Sequence, residues 1–235
     1  MWSMLQSKIS TKNINALLLR GGKVIGAPDS TEFLSDGKTF FKPYENEENN
    51  LDLLKQIHLD LWPEISQRIN FNGPVIDDSY LFLKSPGGVE TKMHQDRVYW
   101  EREEAEPSIT SVRIALEDLT PAKVGLLLSR ENEVKIKQWT SFNSGSILNH
   151  EEPAETSSSS FTLLISQTIA EKLSQSMEFI PMRKGQGLAF DSFEPHIFGT
   201  NQTDTPHLVI TLAYAEAQNR KPPGILISLD GLEAI

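Results

Sequence analysis

The sequence predicts a mostly β fold, α+β in detail, in which a double-sheet jelly roll carries flanking helices. From residue 80 onward, short apolar segments alternate with turn residues, as at Pro86-Gly87-Gly88, which is typical of antiparallel sheets. Upstream, Leu54, Ile57 and Leu61 follow helical spacing. A helix with such an apolar face is expected to pack on one sheet and to supply the α component.

The N-terminal elements are predicted from composition and from the position of a proline. Leu17 to Ile25 is apolar around a Gly-Gly pair and fits a short hairpin or strand. The acidic residues 45–50 favour the start of a helix, which is expected to reach about Leu61. Pro63 suits the first turn of a second helix, through residue 69.

The strands of the jelly roll are placed where β-branched, aliphatic or aromatic residues lie between turns. They are expected at residues 80–84, 92–99, 110–116, 126–128, 145–148, 178–181, 187–190 and 208–214. Residues 166–176 fit a helix or a strand, because Ile169 and Leu173 have helical spacing while the residues before them favour a strand. Glu151 to Ser160 has the composition of a surface loop.

Length and composition predict one domain. With 235 residues and 38% hydrophobic composition, the chain divides into a lead-in with supporting helices (1–78), a jelly-roll core (79–216) and a C-terminal extension (217–235). The net charge of −10 argues against a nucleic-acid partner. No apolar run has the ~18 residues that would span a bilayer, and none fits a signal sequence. The absence of cysteine excludes thiolate chemistry and fits a cytoplasmic protein.

The chemistry is expected to centre on His94-Gln95-Asp96, inside the predicted strand 92–99. Residues i and i+2 of a strand leave from the same face, so this imidazole and carboxylate should point into one pocket. Two histidines and one carboxylate form the facial triad that holds non-haem Fe(II). A second pair, His58-Leu59-Asp60, lies in the predicted helix, where i and i+2 do not face each other. His58 is therefore expected on the helix surface or at an interface.

His196 is the candidate third ligand. It follows a Gly-x-Gly turn at residues 185–187 and a short apolar strand, so it should lie on a late strand of the barrel. Distant strands of a jelly roll meet inside the barrel, which would bring His196 to His94 and Asp96. Asp191 and Glu194 precede it and are expected to cap the turn or support the ligand rather than to bind metal.

These blocks resemble the phytanoyl-CoA dioxygenase family of Fe(II)- and 2-oxoglutarate-dependent oxygenases. The resemblance covers roughly Tyr80 to Tyr214. It rests on three ordered segments: His94-Gln95-Asp96 with Tyr99-Trp100, Ile114-Ala115-Leu116-Glu117-Asp118 leading to Gly125, and Gly187-Leu188-Ala189-Phe190 with His196 and Asn201. It implies a double-stranded β-helix, iron bound by His94, Asp96 and His196, and 2-oxoglutarate as cosubstrate. Because the chain is compact, a small metabolite or natural-product intermediate is the expected substrate.

The chain departs from this family where the far carboxylate of 2-oxoglutarate is bound. Family members normally carry an arginine about eleven residues after the distal histidine, and here that position is His207, which cannot form a bidentate fork. Arg113, which shares a strand face with Ala115, is the candidate to bind this carboxylate in place of the family arginine, since a buried arginine needs an anion. Alternatively, Arg113 pairs with Glu117 or another acidic residue, or faces water. His207 could also bind the cosubstrate alone or beside Arg113, or the cosubstrate is not 2-oxoglutarate.

Four further residues are candidates for the walls of the site. Lys84 and Tyr80 share a face of the preceding strand and could reach the cosubstrate or substrate, although Lys84 could equally face solvent. Arg97 and Trp100 follow the metal-binding segment and are expected to line the substrate mouth. Competing functions are a non-catalytic metal-binding jelly roll, an oxygenase that does not use 2-oxoglutarate, and a metal-dependent isomerase or lyase. The oligomeric state is left open.

Overall fold

The computed structural model describes residues 2–15, 32–33, 39–43, 50–68, 74–88, 90–100, 109–123, 125–129, 147–151, 163–216 and 227–228. The predictions for residues 17–25 and for nearly all of the loop at residues 151–160 lie outside these ranges. Within them the chain forms antiparallel sheets, a helical segment at residues 11–15, and two helices that we name α1 (Asn50–Ile65) and α2 (Gln167–Ser174). Residues 166–176, which the sequence left undecided between helix and strand, therefore form mainly helix.

The strands are numbered in chain order. They are β1 (Trp2–Lys8), β2 (Glu32–Phe33), β3 (Thr39–Pro43), β4 (Pro74–Lys84), β5 (Thr91–His94), β6 (Ile109–Ala115), β7 (Leu126–Ser129), β8 (His150–Glu151), β9 (Leu164–Ile165), β10 (Met177–Phe179), β11 (Gln186–Asp191), β12 (His196–Phe198), β13 (His207–Glu216) and β14 (Ile227–Ser228).

Two sheets form the jelly roll. The larger has the order β1-β11-β6-β13-β4-β3-β2, with β14 also paired to β4, and the smaller has the order β10-β7-β12-β5. Strands β8 and β9 pair antiparallel in a separate two-stranded sheet. Neighbouring strands far apart in sequence, such as β11 beside β6 and β12 beside β5, are the crossovers that distinguish a jelly roll from a meander. The predicted fold class is confirmed.

The larger sheet is buried on both faces. Its outer face packs against α1, where Leu54, Ile57, Leu61 and Ile65 join sheet residues in one hydrophobic cluster. Its inner face forms a second cluster with residues of the smaller sheet, including Ala115, Leu126, Leu128, Phe190 and Phe198. Burial on both faces explains why β13 is a nearly continuous apolar run from Leu208 to Ala215, interrupted only by Thr211.

Strand alternation on β6 decides which side chains reach the barrel interior. Val112 and Ile114 belong to the cluster under α1, whereas Ala115 belongs to the interior cluster. Ser111 and Arg113 share the parity of Ala115 and therefore point into the barrel. A polar strip on the inner face of an otherwise apolar strand positions the candidate site.

Two expectations about the N-terminal half are wrong. Helix α1 does not end at Leu61, and no second helix starts at Pro63: one helix runs through Pro63 to Ile65. Proline near the end of a helix removes one hydrogen bond, and burial of Leu61 and Ile65 against the sheet offsets that loss. In addition, β1 is a full edge strand that pairs with β11.

The strand boundaries differ from expectation at several points. Strand β4 begins at Pro74 rather than Tyr80, β10 ends at Phe179, and residues 147–149 do not form a strand. His196 was expected on a late strand whose bounds were not predicted, and the structure places it on β12. Among the described helices, none has the length and apolar character to cross a membrane.

Candidate active site

The His94-Gln95-Asp96 segment forms the corner at which β5 ends. The prediction of one strand through Tyr99 is wrong: β5 stops at His94, and a 3₁₀ helix (Asp96–Trp100) starts at Asp96. The Arg97 amide donates to the Ser192 carbonyl at 2.9 Å, which ties this corner to the loop before His196. The corner still directs both side chains to one point, because Asp96 Oδ1 lies 3.8 Å from His94 Nε2.

His196 completes the cluster from the neighbouring strand. Strand β12 pairs with β5 so that His196 is the register partner of His94, and the two imidazole centroids are 4.2 Å apart. His196 Nε2 lies 3.3 Å from Asp96 Oδ1. One ligand atom from each of the three side chains falls within 4.8 Å of the others. The structure therefore brings together the three residues that the sequence nominated.

Hydrogen bonds behind the ligands fix their orientation. His94 Nδ1 donates to the Lys92 carbonyl at 2.8 Å, and His196 Nδ1 donates to the Glu194 carbonyl at 2.9 Å. Each bond holds the Nδ1–H tautomer and leaves Nε2 as the inward-facing lone pair. The Ser111 hydroxyl donates to Asp96 Oδ2 at 2.8 Å, so Oδ1 is the oxygen directed at the histidines.

The electrostatics keep these groups in their ligand forms. Burial, reinforced by His196, lowers the pKa of His94 to about 3. Burial would raise the pKa of Asp96, but the nearby His196, His94 and Arg113 together lower it below its usual value. A neutral imidazole and an ionised carboxylate are the protonation states that bind a divalent metal.

The geometry fits a metal ion. Bonds of about 2.0–2.2 Å from a divalent first-row metal to nitrogen and oxygen place neighbouring ligand atoms about 3–4 Å apart, which agrees with the separations between Asp96 and the histidines. His196 Nε2 is buried with no hydrogen-bond partner among the described residues. A buried acceptor without a partner is costly unless something binds there.

Gln95, between two of the ligands, was given no role by the sequence. Its side chain is buried, its Nε2 donates to the Phe193 carbonyl at 2.6 Å, and its Oε1 accepts the Leu148 amide at 2.7 Å. Gln95 thus connects the ligand corner to the loop before His196 and to residue 148. Asp191 caps that loop, since its Oδ1 accepts the Phe193 amide at 2.9 Å.

Arg113 lies inside the barrel. Its guanidinium carbon is 3.5 Å from the centroid of the Phe198 ring, and Nε donates to Thr211 Oγ1 at 3.2 Å. Its Nη1 is buried with no partner among the described residues. Burial lowers the pKa of Arg113 to about 9, while Asp96 opposes this effect, so the side chain is cationic at neutral pH. The alternative ion pair of Arg113 with Glu117 is not formed.

Glu117 instead binds His207 and Lys123. His207 is fully buried at the start of β13, and its Nδ1 donates to Glu117 Oε1 at 2.8 Å. Lys123 Nζ donates to the second carboxylate oxygen. His207 Nε2 is buried with no partner among the described residues. The sequence nominated His207, but nothing in it identified Glu117 as the partner.

Two of the four predicted wall residues have described side chains. Lys84 is fully buried, with its Nζ donating to the Gly199 carbonyl at 3.0 Å, so the solvent-facing alternative is excluded. Arg97 is buried with its guanidinium carbon 4.9 Å from the Phe193 ring centroid. Tyr80 and Trp100 lie on β4 and the 3₁₀ helix, and their side chains fall outside the described part of the structure.

The fold and the ligand set define a class of protein, a jelly roll with a two-histidine, one-carboxylate metal site. The family model for phytanoyl-CoA dioxygenase (PhyH) matches residues 28–207. Because this match covers more than half of the chain, the chain belongs to the phytanoyl-CoA dioxygenase family. It is an enzyme of the Fe(II)- and 2-oxoglutarate-dependent oxygenase class, as the sequence predicted.

Several solved structures share the fold. The chain is similar to the epimerase SnoN in complex with Fe3+, alpha ketoglutarate and nogalamycin RO, with 14% identity, 92% of this chain and 79% of that chain covered, and a TM-score of 0.64. It is similar to EctD from S. alaskensis with 2-oxoglutarate and 5-hydroxyectoine (15% identity, 93% and 73% covered, TM-score 0.62).

A third similar structure is HygX from Streptomyces hygroscopicus with nickel, 2-oxoglutarate and hygromycin B bound (10% identity, 92% and 83% covered, TM-score 0.59). At these identities, the likenesses establish the shared fold. No curated protein matches the chain in sequence. The substrate therefore has to be approached from the site itself.

Proposed function

We propose that this chain oxidises a small organic molecule, a metabolite or natural-product intermediate, with iron held by His94, Asp96 and His196. The observation that carries the proposal is the convergence of two buried histidines and the partly buried Asp96 on one point, each side chain oriented by its own hydrogen bond. The three ligands would leave other coordination positions of the ion open, as oxygen chemistry requires.

Iron and 2-oxoglutarate would together supply the oxidising power, since reduction of dioxygen is coupled to decarboxylation of the 2-oxo acid to succinate and to oxidation of the substrate. The chain's own residues hold and orient these partners. Two neutral imidazoles and one carboxylate would neutralise half the charge of Fe(II), and a bound 2-oxo acid would supply further negative charge. The apolar interior around Leu128, Phe190 and Phe198 would exclude water from the reacting atoms.

Arg113 is proposed to bind the far carboxylate of 2-oxoglutarate, with His207 as a second donor. Arg113 points into the barrel from the same strand face as Ser111, which bonds the metal ligand Asp96. Stacking on Phe198 and the bond to Thr211 fix the guanidinium plane, and Nη1 still lacks a partner among the described residues. An arginine held in this way suits a carboxylate better than a flexible lysine would.

The remaining assignments are proposals of the same kind. Lys84, in register with His207, and Tyr80 would line the cosubstrate end of the barrel. Arg97 and Trp100 would lie towards the substrate mouth, beside the metal ligands. In this proposal the chain is a single oxygenase domain whose jelly-roll core spans residues 79–216.

The experiment is anaerobic calorimetry of the protein titrated first with Fe(II) and then with 2-oxoglutarate, followed by succinate assays against a panel of small molecules. We expect iron binding with one site per chain, and cosubstrate binding only after iron is loaded. Arg113→Ala should weaken 2-oxoglutarate binding by about 10- to 100-fold, the effect of losing a charge-assisted hydrogen bond. Arg183→Ala is the matched control, because Arg183 is exposed.

The outcomes separate the competing functions. Iron binding without any 2-oxoglutarate binding would contradict the proposal and favour a metal-binding module or an oxygenase that uses another reductant. Equal affinities in Arg113→Ala and Arg183→Ala would overturn the assignment of Arg113 alone. Succinate formation that depends on one member of the panel would identify the substrate class.

A further inference from the structure

One ring nitrogen of His207 is hydrogen-bonded to Glu117, and the other is available to a ligand. Nδ1 is 2.8 Å from Glu117 Oε1, and Nε2 is buried without a partner among the described residues. A fully buried ring with an unsatisfied nitrogen is a costly arrangement in the absence of a ligand. The position is at the start of β13, on the inner face of the larger sheet with Val209 and Thr211.

Glu117 determines which nitrogen of the His207 ring carries a proton. Burial would raise the pKa of Glu117, but the hydrogen bonds from His207 and Lys123 outweigh burial and lower it. An ionised carboxylate accepts only, so Nδ1 of His207 must carry the proton. Nε2 is then either a bare lone pair, which repels an anion, or an N–H that donates to one. Protonation of His207 switches between these two states.

The charged surroundings link that protonation to an anion. The charged groups that face His207 from neighbouring elements, among the described residues, are Lys84 opposite it on β4, Glu117 with its partner Lys123, and Arg113 further along the inner face. A carboxylate bound at Nε2 would favour the imidazolium, because an opposite charge in contact stabilises the charged form of a group.

We propose that Glu117 is a positioning residue that holds His207 as a proton-dependent donor to the far carboxylate of 2-oxoglutarate, so that cosubstrate binding takes up a proton at His207. The inference rests on the proposed function of this site. A Glu–His pair thereby serves where the sequence lacks an arginine, and it differs from arginine in one measurable way: an arginine is charged at every relevant pH, while this pair is not.

Linkage between proton and ligand gives the expected effect. If binding requires the imidazolium, the affinity for 2-oxoglutarate falls as the pH rises, by up to about tenfold per pH unit. The same linkage requires net uptake of up to about one proton when 2-oxoglutarate binds at the upper end of the range. Both quantities can be measured without turnover.

The test is anaerobic calorimetry of the Fe(II)-loaded full chain titrated with 2-oxoglutarate between about pH 6 and about pH 8.5, in two buffers of different ionisation enthalpy. The wild type should show the pH-dependent affinity and the proton uptake. His207→Arg should bind with an affinity that no longer depends on pH in this range and without proton uptake. His207→Gln should lose proton uptake and bind several-fold more weakly at the acidic end.

Glu117→Gln tests the positioning role itself. The amide can still accept from Nδ1 but carries no charge to favour the imidazolium, so weakening with pH should begin at a lower pH than in the wild type. Lys123→Ala, which removes the other partner of Glu117 but not His207, is the matched control and should keep the pH dependence. Thermal unfolding of each variant checks that the fold is retained.

The results distinguish this inference from the function on which it rests. A wild type that binds no 2-oxoglutarate at any pH overturns the proposed function. A wild type that binds it with the same pH profile and proton count as His207→Gln overturns the role of His207 and leaves the function standing. A Glu117→Gln profile identical to the wild type overturns the positioning role of Glu117 alone.

Discussion

The chain contains the same tripeptide pattern, His-x-Asp, in two places with opposite outcomes. His58 and Asp60 lie on α1 and point apart: His58 is buried against the sheet beside Tyr214, whereas Asp60 accepts bonds from Ser10 and Asn13 near the N-terminus. His94 and Asp96 lie at a strand end and converge with His196.

The difference shows that backbone conformation decides what the pattern does. Successive helix positions are rotated by about 100°, so two residues apart means nearly opposite faces. At the end of β5 the chain turns into a 3₁₀ helix, and this corner brings the two side chains together. Only the second pair also has a partner histidine in register on the next strand.

The largest effect that sharpens this comparison concerns metal affinity. His94→Ala should weaken binding of Fe(II) or Co(II) by at least about 100-fold, more than is typical for loss of a supporting outer residue. His58→Ala should leave metal affinity unchanged when measured on folded protein. Anaerobic calorimetry checks both variants, and loss of metal binding in His58→Ala would break the comparison.

The second effect runs the opposite way, on stability. His58→Ala should lower the free energy of unfolding of the metal-free protein by about 2–4 kcal/mol, because it opens a cavity beside Trp62 and leaves the buried Tyr214 hydroxyl without its partner at 3.1 Å. Urea denaturation measures the change. His58→Gln, which retains a polar side chain, should lose less, and an alanine variant as stable as the wild type would contradict the structural role.

A third, comparable effect is acid sensitivity. Burial lowers the pKa of His58 from its ordinary value of 6.5 to about 4, so between these values the unfolded chain binds a proton that the folded chain does not. Stability should therefore be full above about pH 6.5 and decline as the pH falls towards 4, by at most about 3 kcal/mol from this group. His58→Gln should show a shallower decline in urea denaturation at successive pH values.

The smallest effect concerns the support of the metal carboxylate. Ser111→Ala removes the hydroxyl that donates to Asp96 Oδ2 and should weaken metal binding by about tenfold, as is typical for an outer partner of a ligand. Thr110→Ala, on the same strand but with the opposite side-chain direction, is the control. Equal affinities of the two variants would show that the hydroxyl does not orient Asp96.

The fold was predictable where periodicity is strong. Short strands between turns gave the jelly roll, and the spacing of Leu54, Ile57 and Leu61 gave α1. The passage of α1 through Pro63 was not predictable, because the burial that offsets the lost hydrogen bond depends on the sheet beneath. The pairing of β1 with β11 depends equally on contacts about 180 residues apart in sequence, which no local pattern encodes.

The site was predictable in residue identity and less so in geometry. His94, Asp96 and His196 converge as expected, although Asp96 does so from a 3₁₀ corner and not from a strand face. The roles of Gln95, Ser111 and Glu117 come from tertiary hydrogen bonds. Only the side-chain direction of Ser111 had a local signal, since it lies two residues before Arg113 on one strand.

The central claim is that His94, Asp96 and His196 bind a single ferrous ion. X-ray absorption at the iron edge of the anaerobic Fe(II)-loaded chain measures it most directly, because imidazole ligands give a characteristic scattering pattern that can be counted. The wild type should fit two imidazoles per iron, and His196→Ala should fit one. Two imidazoles in His196→Ala, or a count that falls in His58→Ala instead, would contradict the account.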